Sequence, residues 1–186
     1  MIDLSKTAYL AIDLQEDVLR PQPLFPQSAQ AIVAANDRVS QALKNTAALE
    51  VLVRVQQATF GHLYPFAATT RAVPVATPEL SLAIASEAAT NVIVVNKHNP
   101  SAFFGTDLDV QLRRFGIETL LVAGVSTSNG VYATVLDGFQ HAYRVLVIED
   151  ACADRDGENH AFFFRKMFPR LAHVTTVAEV LQLIKT

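Results

Sequence analysis

Residues 119–139 read TLLVAGVSTSNGVYATVLDGF, and this stretch decides the fold. Its apolar run, 120–125, has the length and character of a buried strand. Four small polar residues follow: Ser126, Thr127, Ser128 and Asn129. Val131, Val135 and Phe139 then recur at helical spacing. A strand that turns sharply into a helix at the carboxyl edge of a parallel sheet is where α/β enzymes often hold a nucleophile. The free N–H groups of such a helix also stabilise an anion. Here the first turn of the helix carries Gly130, which has no side chain to attack anything.

Outward from this turn, short β-rich runs alternate with helical patterns. Strands are expected over 8–14, 50–57, 91–97, 119–125, 144–150 and 173–177. Helices are expected over 28–47, with Ile32, Val39 and Leu43 on one face, and over 78–89, 106–115, 128–142, 157–168 and from about 178 onward. Thr106 and Asp109 have capping-box spacing at the head of the third helix, which stops at Gly116. Alternation of this kind implies a parallel sheet covered by helices on both faces. The expected fold class is α/β, a three-layer α/β/α domain with a doubly wound six-stranded sheet in the order 3-2-1-4-5-6. That order places the topological switch point between the first and fourth strands, at Asp13 and the 125–130 turn. No repeat or linker divides residues 1–186, which read as one domain. The irregular stretch 58–77 holds three aromatics and reads equally as a substrate lid or as a loop against a neighbouring subunit.

Apolar residues make up 51% of the chain and charged residues 18%, the balance of a folded globular protein. A net charge of −3 with no basic run disfavours nucleic acid and anionic membranes as partners. No apolar stretch approaches the length of a membrane span. The first residues lack the basic and long apolar regions of a secretion signal, and the lone Cys152 cannot form an internal disulfide. The expectation is a cytoplasmic protein.

Several residues could carry chemistry. Asp13, in AYLAIDLQED, lies near the carboxyl end of an apolar strand, where a carboxylate faces the ligand crevice and is costly to bury alone. A helix-cap or structural role explains it as readily. Lys97 ends the run NVIVVNK in the equivalent position, where an ordinary strand-end lysine is the simpler reading. Together the two make a carboxylate–ammonium pair able to tune proton transfer and to hold a substrate carboxylate. Cys152, in EDACAD just past the fifth strand, reads as a small buried cysteine more readily than a reactive one. None of the five histidines forms a metal-binding pair with another, so no metal is expected. Phe103 and Phe104 could line a pocket wall beside Lys97 or pack in the core. His160, in DGENH, fits either the crevice or a helix surface, and Asp137 reads as structural.

These segments resemble the isochorismatase-like hydrolase superfamily, which includes nicotinamidases, carbamoylsarcosine hydrolases and isochorismatases. Three pieces carry the resemblance in order. They are the opening strand with Asp13, Gln15 and Asp17; Lys97 in NKHNPSAFFGTDLDVQLRRFGIETLLVAGV; and GVSTSNGVYATVLDGFQHAYRVLVIEDACAD. The family's usual pattern G-V-x-T-x-x-C-V reads Gly124 to Val131 here, with Gly130 at the cysteine position. The resemblance implies Asp13, Lys97 and Gly130 as the catalytic positions, and a cis peptide at Val125–Ser126. It implies substrate binding by Ser126, Thr127, Ser128, Asn129, Phe103 and Phe104. Gly130 removes the thiolate route to amide cleavage. The true isochorismatases are similar in carrying glycine there, and they cleave a vinyl ether without a nucleophilic side chain, with the aspartate as acid. The Ser-Thr-Ser-Asn turn resembles the cysteine amidohydrolase branch instead. Ser128 is a conceivable substitute nucleophile but reads more simply as a helix cap. The DxH-type metal site of nicotinamidases would fall where this chain has RVQQATFGH.

The expected function is therefore a cofactor-independent hydrolase of a small carboxylated metabolite, with vinyl-ether hydrolysis as the fitting chemistry. The expected assembly is a homo-oligomer, dimer or tetramer. The alternatives are a catalytically silent relative that binds a small molecule or partner, and an amidohydrolase using Cys152 or Ser128.

Overall fold

A computed structural model describes residues 2–56, 79–85 and 87–185. The stretch 58–77, expected as a lid or subunit contact, lies outside the described residues. So does most of the segment where a nicotinamidase-type metal site would fall.

Six strands form one parallel sheet in the order β3-β2-β1-β4-β5-β6, as expected. They are β1 (Thr7–Ile12), β2 (Leu49–Val55), β3 (Val92–Lys97), β4 (Thr119–Val125), β5 (Arg144–Ala153) and β6 (His173–Thr175). Every residue of β1 and β4 is buried, which is why both read as unbroken apolar runs: helices cover both faces of the sheet. β3, at the sheet edge, is half exposed.

The helices are α1 (Glu16–Leu19), α2 (Ala29–Leu43), α3 (Leu108–Arg114), α4 (Tyr132–Gln140), α5 (Gly157–Phe162) and α6 (Val177–Lys185). Ser28 caps α2 by accepting the Ala31 N–H, and Ile32, Val39 and Leu43 are buried as expected. α2 packs on β5 and α6. α4 lies close to the sheet because Gly138 has no side chain; a Cβ there would stand 3.1 Å from Leu120 and 3.3 Å from Val145. Among the described residues, no helix is long and apolar enough to cross a membrane.

Four expectations need correction. The Ala/Leu-rich segment 78–89 is not a helix where it is described. Leu80 bridges to Gln15 and only a single 3-10 turn, Ala83–Ala85, follows; backbone bonding to the β1 edge outweighs helix propensity. The Thr106–Asp109 capping box does not form. Thr106 accepts the Leu108 N–H, while Asp109 is drawn away to the Tyr143 hydroxyl and Arg113. The first strand ends at Ile12, and Asp13 turns into a left-handed conformation with φ 53°. The fifth strand runs past 150 to Ala153, because its register slips against β4: Val122 pairs with Val147 but Gly124 with Cys152. Cys152 consequently lies inside the sheet core, not beyond its edge.

Candidate active site

The carboxyl ends of β1, β3 and β4 converge at the switch point. Gly124 lets them approach: with φ 125°, a Cβ would come within 2.2 Å of the Ile12 carbonyl oxygen, so no other residue fits. Gln15 locks the neighbouring edge. Its amide bonds both the N–H and the C=O of Val55, continuing the β1–β2 ladder through a side chain, and it also reaches Asp17.

Asp13 and Lys97 meet in this crevice. Asp13 Oδ2 lies 2.8 Å from Lys97 Nζ, and the two residues are only 6% and 1% exposed. Lys97 Nζ also donates to the Pro100 carbonyl at 2.6 Å. Asp13 Oδ1 is buried with no hydrogen-bond partner among the described residues. Burial pushes the Asp13 carboxyl up to about 6, against the downward pull of the Lys97 charge and hydrogen bond, with a small upward push from Asp17. Desolvation thus wins over the ammonium, and the site holds a carboxyl group that titrates near neutrality.

Gly130 faces this pair. A Cβ on it would lie 3.0 Å from Asp13 Oδ2, 3.1 Å from Lys97 Nζ and 3.2 Å from Ile12 Cγ2. A side chain at this position would therefore press directly on the pair, which would have to give by a few tenths of an ångström. The turn between β4 and α4 begins with a cis peptide at Val125–Ser126 and winds as a π-type turn over Thr127–Val131. Thr127 is buried with its hydroxyl 2.9 Å from His160 Nδ1. The Ser128 N–H donates to Asp154 Oδ2 at 2.7 Å and the Asn129 N–H to the Ser126 carbonyl at 3.1 Å. Ser128 is thus held by a cap from outside the helix and is not itself the cap. Asp154 is buried and also accepts the Asp156 N–H.

Not every expected residue joins the pair. Phe103 is buried against His141 and Tyr143, with ring centroids 5.0 and 6.0 Å away, in the packing role. Phe104 is 66% exposed. Cys152 is fully buried, and burial pushes its thiol far above the ordinary range. The Asp137 side chain accepts from Gln140 of its own helix at 3.2 Å. His160 is buried, not on a helix surface; burial holds it below the usual histidine range, opposed by the charge of Asp154. Asp154 and Thr134 were missed in the sequence. A carboxylate just past the end of β5 was a usable signal for the first; nothing marked the second. Among the described residues, no three histidine, cysteine or acidic side chains cluster as a metal site would require.

The isochorismatase domain profile matches residues 7–179. The isochorismatase family protein YecD of Escherichia coli O157:H7 is 30% identical, with 97% of each chain covered. An isochorismatase family protein from Burkholderia thailandensis superposes with a TM-score of 0.78 at 30% identity, over 98% of this chain and 97% of that one. A maleamate amidohydrolase of Pseudomonas putida is 30% identical over 50% of this chain and 44% of its own.

Proposed function

The chain belongs to the isochorismatase family and is a hydrolase, and from that premise we propose that it hydrolyses the vinyl ether of a small carboxylated metabolite, with Asp13 as the acid. The observation that carries this reading is Gly130, a residue with no side chain set against a carboxyl group that burial keeps partly protonated. Vinyl-ether hydrolysis needs a proton donor and water, and no nucleophilic side chain.

In the proposed reaction Asp13 gives its proton to the terminal methylene of the enol ether. The carbon bearing oxygen becomes an oxocarbenium ion, and water adds to it. The proton lost by that water returns to the carboxylate, and the hemiketal collapses to a keto acid and an alcohol. Oδ1, buried and unpartnered among the described residues, is the oxygen suited to carry the proton. Lys97 supports the carboxylate left behind and offers charge to a substrate carboxylate. A substrate oxygen would then be met by the backbone N–H groups of Ser126 and Thr127, since those of Ser128 and Asn129 are already engaged.

The similarity to a maleamate amidohydrolase favours amide cleavage as a second reading. It would require a nucleophile other than Gly130, and Cys152 is sealed in the core. Incubation with isochorismate, with Asp13→Asn alongside, tests the proposal. Pyruvate released by the wild type and not by the variant supports it. No pyruvate from folded wild-type protein sinks isochorismate as the substrate.

A further inference from the structure

Asp13, Lys97 and Gly130 come from three separate elements, and one buried hydroxyl ties two of those elements together. Thr134 sits one helical turn beyond Gly130, fully buried in α4. Its hydroxyl donates to the Gly130 carbonyl at 2.7 Å and accepts the Ala102 N–H at 3.1 Å. Ala102 belongs to the loop after β3. Two residues earlier in that loop, the Pro100 carbonyl accepts from Lys97 Nζ at 2.6 Å. Lys97 in turn meets Asp13, and both face the bare Cα of Gly130. The contacts therefore close a ring: Gly130, Thr134, the 100–102 loop, Lys97, and back to Gly130.

We propose that Thr134 is a positioning residue, whose hydroxyl fixes the loop behind Lys97 to the Gly130 turn and so sets the ammonium at its distance from Asp13. The inference rests on the Asp13–Lys97 pair of the preceding reading, whatever the substrate. A hydroxyl can donate and accept at once, so a single side chain serves both partners. Valine has the same shape and serves neither. It leaves the Ala102 N–H without its partner in the core, so the loop shifts to find another. Lys97 then loses its place on the Pro100 carbonyl and draws back from Asp13. The charged groups that bear on Asp13 are Lys97 from β3 and Asp17 from α1. Only the first depends on this loop.

The test is a 13C titration of the Asp13 carboxyl by NMR, assigned by the signal lost in Asp13→Asn, with thermal unfolding run on every protein. Withdrawing the ammonium raises the Asp13 midpoint, by about one pH unit in Thr134→Val. Thr134→Ser keeps the hydroxyl and returns the midpoint to the wild-type value. A folded Thr134→Val with an unmoved midpoint overturns the proposal. So does a Thr134→Ser that moves as far as the valine variant, since a role in packing alone would produce it. Thr134→Ala removes the hydroxyl in a smaller side chain and carries the same expectation if the valine variant does not fold. No substrate enters this titration, so its failure and a failed isochorismate assay are separate results.

Discussion

If Asp13 is the acid, the rate must follow its protonated fraction, and the structure says where that fraction falls. Burial lifts the carboxyl from 3.8 to about 6 even though an ammonium sits 2.8 Å away. That rise is worth about 3 kcal/mol in favour of the neutral acid. About half of the carboxyl is protonated at pH 6, about a tenth at pH 7 and about a hundredth at pH 8. The expected kcat/KM for a vinyl-ether substrate therefore drops about fivefold from pH 6 to 7 and about tenfold from pH 7 to 8. Pyruvate release from isochorismate, followed from pH 5 to 8.5, reads this directly. Lys97→Met removes the charge that lowers the carboxyl, so its falling limb moves to higher pH while its maximal rate drops. A wild-type rate that climbs through pH 6 would refute the reasoning. It would mean that the carboxylate works as a base, as amide cleavage requires. A flat profile would remove Asp13 from the rate-determining step.

Three further perturbations follow from the same structure. Gly130→Ala places a methyl 3.0 Å from Asp13 Oδ2 and 3.1 Å from Lys97 Nζ. The pair must shift by a few tenths of an ångström, so activity falls and urea unfolding shows a cost of about 1–3 kcal/mol; unchanged stability and turnover would contradict the close contact. Glu50 is buried in β2, bonded through Oε2 to the Ser40 hydroxyl with Oε1 unpartnered among the described residues, and burial pushes it up to about 7 against the pull of Ser40 and Lys44. The native state thus keeps a proton that the unfolded chain releases, and stability falls as pH rises from about 4.5 to 7. Glu50→Gln should flatten this dependence and add on the order of 1–2 kcal/mol at pH 8, measured by denaturant unfolding at pH 5 and 8. Cys152→Ser should retain full activity, at a stability cost of about 1–2 kcal/mol for a buried hydroxyl; loss of turnover in the folded variant would revive the thiol reading.

The sheet was legible because its central strands are buried on both faces. After their opening threonines, Thr7–Ile12 and Thr119–Val125 run as continuous apolar and small residues, and a strand–helix alternation leaves few topologies to choose from. The meeting of Asp13, Lys97 and Gly130 was legible for a related reason: strand ends in a parallel sheet share one edge, so three such positions converge whatever the loops do. The supports around them were not legible. The bonds from Thr134 to Ala102 and from Thr127 to His160 join segments that no periodicity connects. The slip of β5 against β4 depends on how the chain past Val147 packs, which no run of β-formers encodes. The segment 78–89 failed for the opposite reason. Its alanines and leucines favour a helix locally, but the Ser81 N–H donates to the Leu14 carbonyl and the Glu79 carbonyl accepts the Glu16 N–H, bridging Leu80 to Gln15 instead.

The same carboxyl–ammonium pair supports two chemistries that call for opposite protonation states. To cleave an amide through a side-chain nucleophile, the aspartate must be ionised so that it can take the nucleophile's proton. To open a vinyl ether, it must be protonated so that it can give one. At Gly130 there is no side-chain proton to take, and the remaining exchange partners are substrate and water. The surroundings agree with that division of labour. Burial outweighs Lys97 and keeps a protonated fraction near neutrality, while one carboxyl oxygen stays bound to the ammonium and the other makes no bond among the described residues. The pair has also closed to within 3.0 and 3.1 Å of where a Cβ would begin. The glycine therefore goes with the close packing of the crevice, and a cysteine placed there would need the pair to give by a few tenths of an ångström.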